Sequence, residues 1–374
     1  IIGGGIAGVT AAETIRQKDP KASIAVIGAE PHLLYSRVLL PHFVRGKIPE
    51  EKVFLKSADF FKSKDIGFIA GRTAVSVDAV SHRAVFSDGS DCTWKKLLVA
   101  TGGRPRKLDR PGADDTCMNF QYIEDARALA AVSAGPAVTV GSGFIALEFL
   151  MSFAARGIKN FAVIRGNWFF SRVLDGVAAA RVGEALARHG VEVRTGASVR
   201  AIESDGLKKR VFLESGERID CAAVGVGIGL ESNVEFLYGS AIEVRKGVVV
   251  DSRLRASAPD VFAAGDVAEY FDESVGRHHV IGNWTNATMQ GRVAGANMCG
   301  EGVVYDQLTS YSINCFDLPL TFVGPTNVAP DATAVREYPE GAVLQLRLCG
   351  GKVIAATCAG PFVDRVSVMA LIRS

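Results

Sequence analysis

Short unbroken apolar runs, each halted by glycine, punctuate the chain: Ile1-Ile2, Leu97-Leu98-Val99-Ala100, Ala137-Val138-Thr139-Val140, Ala222-Ala223-Val224 and Val261-Phe262-Ala263-Ala264. A run that is apolar at every position, not at alternate ones, reads as a strand buried on both faces, as in a parallel sheet between helix layers. Between these runs the pattern predicts helices at 9–17, 147–156, 176–189 and 287–298, and strands at 23–27, 160–164, 191–195 and 247–251. Shorter strands are expected at 67–70 and 83–86, either side of a turn at 79–82, and through 199–219. From 305 onward the pattern alternates, with strands expected at 344–348 and 352–357 and a closing helix at 362–372. That last part reads as a small α+β domain.

The glycines that stop the runs carry the chemistry. Gly3, Gly5 and Gly8 occupy the three positions of a dinucleotide fingerprint: a tight turn, a close approach to pyrophosphate, and a close helix–strand contact. The helix that follows offers unpaired N–H groups and its positive dipole end to the phosphates. Glu30, after the next strand, stands close to where a ribose-binding carboxylate is expected. A second unit begins at Gly141-Ser142-Gly143-Phe144-Ile145-Ala146, with alanine at the third position. Two such units imply two nucleotides, and two nucleotides imply a redox relay. The same strand-then-glycine logic recurs at Ala100-Thr101-Gly102, at Gly225-Val226-Gly227 and at Gly265-Asp266. Asp266 at a sheet edge needs a hydrogen-bond partner, for which a ribityl hydroxyl is well suited.

Composition narrows the picture. The net charge of +2 argues against nucleic acid, and no apolar run approaches membrane-spanning length. The seven cysteines are scattered with no Cys-x-x-Cys, which fits reduced thiols in a cytoplasmic protein and not a disulfide framework or cluster loop. His278-His279 is the one histidine pair, and adjacent side chains rarely ligate one ion, so no metal site is expected. The chain opens inside a strand, so a few residues are expected to precede Ile1.

In order and spacing, the residues 3–8, 100–102, 141–148 and 260–266 resemble those of the two-dinucleotide-domain flavoprotein reductases, the pyridine nucleotide-disulfide oxidoreductase superfamily. The resemblance covers essentially the whole chain. It implies an α/β fold of two Rossmann-like, three-layer domains, the NAD(P) domain inserted in the FAD domain, followed by a small C-terminal α+β domain. The boundaries expected are 1–111 and 236–304 for the FAD domain, 112–235 for the NAD(P) domain, and 305–374 for the C-terminal domain, which would cover the flavin or supply a homodimer face. Members carrying a redox-active cysteine in the loop before Leu40-Pro41 have it where this chain has Val38. Without a thiolate there is no covalent nucleophile for disulfide or peroxide chemistry. What remains resembles rubredoxin reductases, ferredoxin reductases and the flavin part of nitrite reductases, also in the stretch from Trp284-Thr285-Asn286-Ala287 through Gln290-Gly291-Arg292. Such enzymes often have a lysine near the flavin where this chain has His42.

The resemblance thus implies hydride transfer from NADPH or NADH to FAD, then electrons to a small redox protein such as rubredoxin or ferredoxin, or to a partner redox subunit. A direct oxidase and a module without turnover of its own are the alternatives. FAD contacts are expected from Gly3, Gly5, Ile6, Ala7, Gly8, Glu30, Arg37, His42, Ala74, Ala100, Thr101, Gly102, Arg104, Gly265, Asp266 and Trp284, with Arg37 neutralising pyrophosphate charge. Nucleotide contacts are expected from Gly141, Gly143, Phe144, Ile145, Glu148, Arg165, Arg172 and Gly227. Glu148, read as first-turn, and Trp284, in the approach to the helix expected at 287–298, are the expected catalytic residues. Arg165 stands where an acid would hold a ribose 2′-OH, and with Arg172 it favours the 2′-phosphate of NADPH.

Overall fold

The first apolar run seeds a parallel sheet. In the computed structural model, which describes residues 1–374 other than 115, 207, 274, 327, 362–364 and 374, Ile2 bridges both Ile27 and Val99. The strands on either side extend the sheet: Ala25–Ile27 pairs with Gly67–Ile69, and Leu97–Val99 with Val261–Ala263, all parallel. Helices Ile6–Lys18 and Trp284–Met298 lie together beside this sheet at backbone contact. A side-chain carbon on Gly291 would stand 2.4 Å from the Ala7 carbonyl oxygen. These elements belong to one compact unit, Ile1–Ser36, Glu50–Arg104 and Glu231–Gln307.

The second unit comprises Arg37–Pro49, Pro105–Leu230 and Leu308–Ser374. Its parallel sheet runs in the order Val191–Arg194, Asn160–Val163, Ala137–Val140, Ala223–Val226, Cys117–Met118. Ala137–Val140 is at the centre and buried at all four positions, as its apolar run requires. The chain steps outward from it on one side and crosses back to Ala223–Val226 on the other, the strand order of a doubly wound nucleotide fold. The five strands from Ser310–Cys315 to Lys352–Ala359 form an antiparallel sheet that packs on helix Gly176–Arg188. Leu320, Phe322, Val343 and Ala359 share a core with Ala178, Val182 and Leu186.

Three helices begin earlier than their apolar pattern. They start at Ile6, Phe144 and Trp284, each preceded by an extended N-cap residue, Gly5, Gly143 and Asn283. The pattern registers a helix where it meets the core, whereas its first turn here projects from the sheet edge. Two expectations change in consequence. Glu148 is the fifth residue of its helix, not a first-turn acid, so the helix dipole does not explain it. Trp284 is the first residue of its helix and not part of the approach to it. The last helix is Arg365–Arg373. The expected start at 362 lies outside the described residues.

Candidate nucleotide-binding sites

In the first glycine turn, two glycines stand for different reasons. Gly3 has φ +125°, and a side-chain carbon there would meet the Ala100 carbonyl oxygen at 2.1 Å, so the fold demands glycine. Gly5 has φ −76°, which any residue adopts, and a Cβ there would meet nothing within 4 Å. The fold has no use for glycine at Gly5. A pyrophosphate on the N-terminus of Ile6–Lys18, against the backbone of Ile6, Ala7 and Gly8, would have one. At the far edge of the sheet Gly265 turns at φ +84°, its N–H donating to Gln290 Oε1 at 2.8 Å. The Gln290 Nε2 and Asn283 Nδ2 groups are buried with no acceptor among the described residues, and such groups ordinarily have one. Asp266 and Trp284 are half-buried beside them. Open space over a helix N-terminus, orphaned donors and a carboxylate along one sheet edge fit FAD.

The neighbouring turn is braced from a distance. Asn233 Nδ2 donates to the Thr101 carbonyl at 3.0 Å, Thr101 Oγ1 to the Asn233 carbonyl at 2.7 Å, and Asn233 N–H to the Gly102 carbonyl at 3.0 Å. Arg104 is committed to Asn233 Oδ1, Glu231 and Glu235. Glu30 accepts from the Tyr35 hydroxyl, and Ala74 opens the strand Ala74–Asp78. Asn233 is not marked in the sequence, and Gln290 is marked there only as part of a family-like stretch without a role, because each acts through a contact distant in sequence.

The second unit repeats the arrangement. Gly141, at φ +123°, would collide with the Gly227 carbonyl oxygen at 2.2 Å, whereas Gly143, at φ −104°, faces open space. Ile145 and Gly227 line a cleft with Phe120, Val226 and Leu230, a mostly apolar bed. The Phe144 ring instead packs 5.0 Å from Phe170 and 5.1 Å from Phe322. Arg165 and Arg172 are exposed, and neither guanidinium is ion-paired among the described residues.

The segment 37–49 carries a second set of charges. Arg37 donates to the Gln121 carbonyl at 2.8 Å and lies 5.2 Å from the Tyr122 ring centre. His42 is driven below its ordinary range by burial and by Arg45 and Lys47, which disfavours its cationic form. Arg45 is the cation of this segment that meets Glu148, its Nη1 2.9 Å from Glu148 Oε2. Burial pushes the Glu148 carboxyl up, and Arg45 and Lys47 pull it back. A carboxyl raised in the fold stabilises while protonated and loses that contribution as pH rises through its folded value. In Arg45→Met the opposing charge is gone, so Tm should fall more steeply from pH 5 to pH 8 than in wild type. Destabilisation at pH 8 should be about 1–3 kcal/mol, the cost of leaving a buried polar group unmatched. Thermal melts at the two pH values check this, and parallel slopes would refute it.

Val38, at the cysteine position of thiol-dependent relatives, is 55% exposed. All seven cysteines are free. Burial pushes Cys117, Cys221 and Cys358 up to about 11 and Cys315 up to about 12, and raises Cys92 and Cys299 as well. At those six cysteines thiolate is scarce at neutral pH, and thiolate is the reactive form. Iodoacetamide should therefore leave nucleotide-to-dye electron transfer largely intact. One modified cysteine accompanying full, substrate-protected inactivation would contradict this.

Comparison with known proteins agrees with this geometry. The chain is 28% identical to the NADH-dependent phenylglyoxylate dehydrogenase subunit epsilon of Aromatoleum evansii, over 91% of this chain and 82% of that one. It is 30% identical to putidaredoxin reductase of Pseudomonas putida, over 80% and 74%. A solved ferredoxin reductase from Rhodopseudomonas palustris superposes with a TM-score of 0.89 at 26% identity, covering 96% of this chain and 90% of that one. The sequence pattern of the pyridine nucleotide-disulphide oxidoreductases matches residues 1–291, and to that family the chain belongs.

Proposed function

We propose that the chain is an FAD-dependent NAD(P)H oxidoreductase that delivers electrons to a one-electron carrier, a small iron–sulfur or rubredoxin-type protein. The observation that carries the reading is the pair of open glycine cradles at Gly5 and Gly143, one per unit, in a chain with Val38 where a redox thiol would stand. When bound, FAD takes up two electrons with a hydride and gives them up singly. The protein's part is to hold it: Gly5 to Gly8 beneath the pyrophosphate, Asp266 toward the ribityl chain, and Trp284 and the N-terminus of its helix toward the ring. Gly143, Ile145 and Gly227 would seat the second nucleotide, with Arg165 and Arg172 at its adenosine end. Glu148, held by Arg45, would border the nicotinamide. Similar proteins are named as reductases of ferredoxin, putidaredoxin and rubredoxin, which supports the acceptor class. Free thiols throughout suit a cytoplasmic setting.

A second reading, an electron-delivering subunit of a larger enzyme, is favoured by the likeness to phenylglyoxylate dehydrogenase subunit epsilon. Stopped-flow reduction with each pyridine nucleotide, then mixing with air-saturated buffer or a small iron–sulfur protein, separates the readings. Fast reoxidation by the iron–sulfur protein with slow reoxidation by air supports the carrier reductase. Fast reoxidation by air alone would instead show an oxidase. Reoxidation only by a co-purifying neighbour would show a subunit.

A further inference from the structure

Gln345 and Arg347, on strand Val343–Cys349 of the C-terminal sheet, are 1% and 4% exposed. The Arg347 guanidinium makes no ion pair among the described residues. Nη1 donates to the Val173 carbonyl at 2.7 Å, and Nη2 to the Val328 carbonyl at 2.9 Å and, at 3.4 Å, to that of Arg172. Its Nε–H is buried without an acceptor among the described residues. Burying a cation against main-chain carbonyls is expensive, and an apolar side chain would fill the space at lower cost. What the guanidinium adds is a grip on one loop. Two positions along the strand, Gln345 Oε1 accepts the Asp175 N–H at 2.9 Å, and Asp175 in turn caps Gly176–Arg188 through the Ala178 N–H at 2.8 Å.

The gripped loop is the one that follows the second strand of the nucleotide unit. Its other anchor is the Phe170 N–H, which donates to the Ser142 carbonyl at 2.8 Å, inside the glycine turn itself. Phe170 sits at φ +58°, a conformation that a bulky residue keeps only when its surroundings enforce it. The loop is thus pinned at the glycine turn on one side and at Arg347 and Gln345 on the other. Arg172 rides on the pinned stretch, its own carbonyl held by Arg347, while its side chain stays exposed.

We infer that strand Val343–Cys349 is a brace for nucleotide selectivity: Arg347, with Gln345, positions Arg172 opposite Arg165 to receive the 2′-phosphate of the nucleotide. This rests on the reading that Arg165 and Arg172 face that phosphate. Arg347 and Gln345 are positioning residues and touch no ligand. An unbraced loop must be ordered when the phosphate binds, which weakens affinity for the phosphorylated ligand and spares the other.

Calorimetric titration of the flavin-loaded protein with 2′,5′-ADP and with 5′-ADP tests this, without reference to turnover. Arg347→Met should weaken 2′,5′-ADP by about tenfold while 5′-ADP shifts by less than about twofold, and Arg347→Lys should recover part of the loss. Should Arg347→Met fail to fold, Gln345→Met gives the same comparison through the Asp175 anchor. A folded Arg347→Met that binds 2′,5′-ADP as wild type does, while Arg165→Glu does not, overturns the brace and leaves the phosphate site standing. Equal losses for both ligands overturn it as well. Wild-type 2′,5′-ADP binding in Arg165→Glu removes the phosphate site, and the brace with it.

Discussion

A Gly5→Asp variant should keep its fold and lose its flavin. The backbone at Gly5, φ −76° and ψ −176°, is the extended geometry of an ordinary N-cap, and a Cβ there meets no protein atom within 4 Å. Aspartate is among the best N-cap residues, so the apoprotein should be unchanged or a few tenths of a kcal/mol more stable. The same carboxylate would sit where the pyrophosphate must go. Two like charges about 4 Å apart repel by about 4 kcal/mol at the effective dielectric near a protein surface, which is close to a thousandfold in affinity. Gly143→Asp makes the mirror case: φ −104°, ψ −167°, open space, and an N-cap position on Phe144–Ala155. It should purify yellow, melt like wild type and fail to be reduced by either pyridine nucleotide. Visible absorbance, apoprotein melting and reductive titration of the two variants decide the matter. A Gly5→Asp protein with full flavin content would show that FAD does not lie against this turn.

The sequence disclosed these cradles because backbone chemistry leaves a local mark. Three glycines at fixed spacing after an apolar run can be read without knowing what lies across the fold. The parallel sheets were legible for the same reason: Ala137–Val140 is buried at every position, and its composition says so. What stayed hidden is held by contacts distant in sequence. Asn233 braces the Thr101 turn and Arg45 meets Glu148 across more than a hundred residues, and neither announces itself by type or spacing. Gln290 reads as a helix polar residue until it is seen to hold the Gly265 N–H. The C-terminal sheet gave its alternating strands but not its partner, since an apolar face does not name the helix that will cover it. The start at Trp284 carries its mark in Asn283, a good N-cap, and not in the apolar pattern, which begins only at Ala287.

The choice of nucleotide is where sequence and relatives pull apart. Similar proteins are named for NADH or NAD(+), including the reductase components of the anthranilate and biphenyl dioxygenase systems. Here the residue after strand Asn160–Val163 and Ile164 is Arg165, exposed and unpaired among the described residues, where an acid would repel a 2′-phosphate. Ala146 holds the third fingerprint position, and Arg172 stands exposed on the loop anchored to Ser142 through Phe170. A guanidinium forks onto phosphate oxygens with charge-assisted bonds, and an ammonium or amide does so less well. Wild type should therefore show the higher kcat/KM with NADPH. Arg165→Glu removes one such contact and adds a like charge, costing about 1.5–3 kcal/mol of NADPH binding from the lost bond alone. The ratio of kcat/KM for NADPH over NADH should fall by roughly tenfold or more, carried mainly in KM for NADPH, because the 2′-phosphate is remote from the reacting carbon. NADH turnover should hold, since the 2′-OH gains an acceptor where it had a cation. A wild type that already favours NADH, or a variant whose ratio does not move, would mean that Arg165 is a solvated surface cation and that the nucleotide is selected elsewhere.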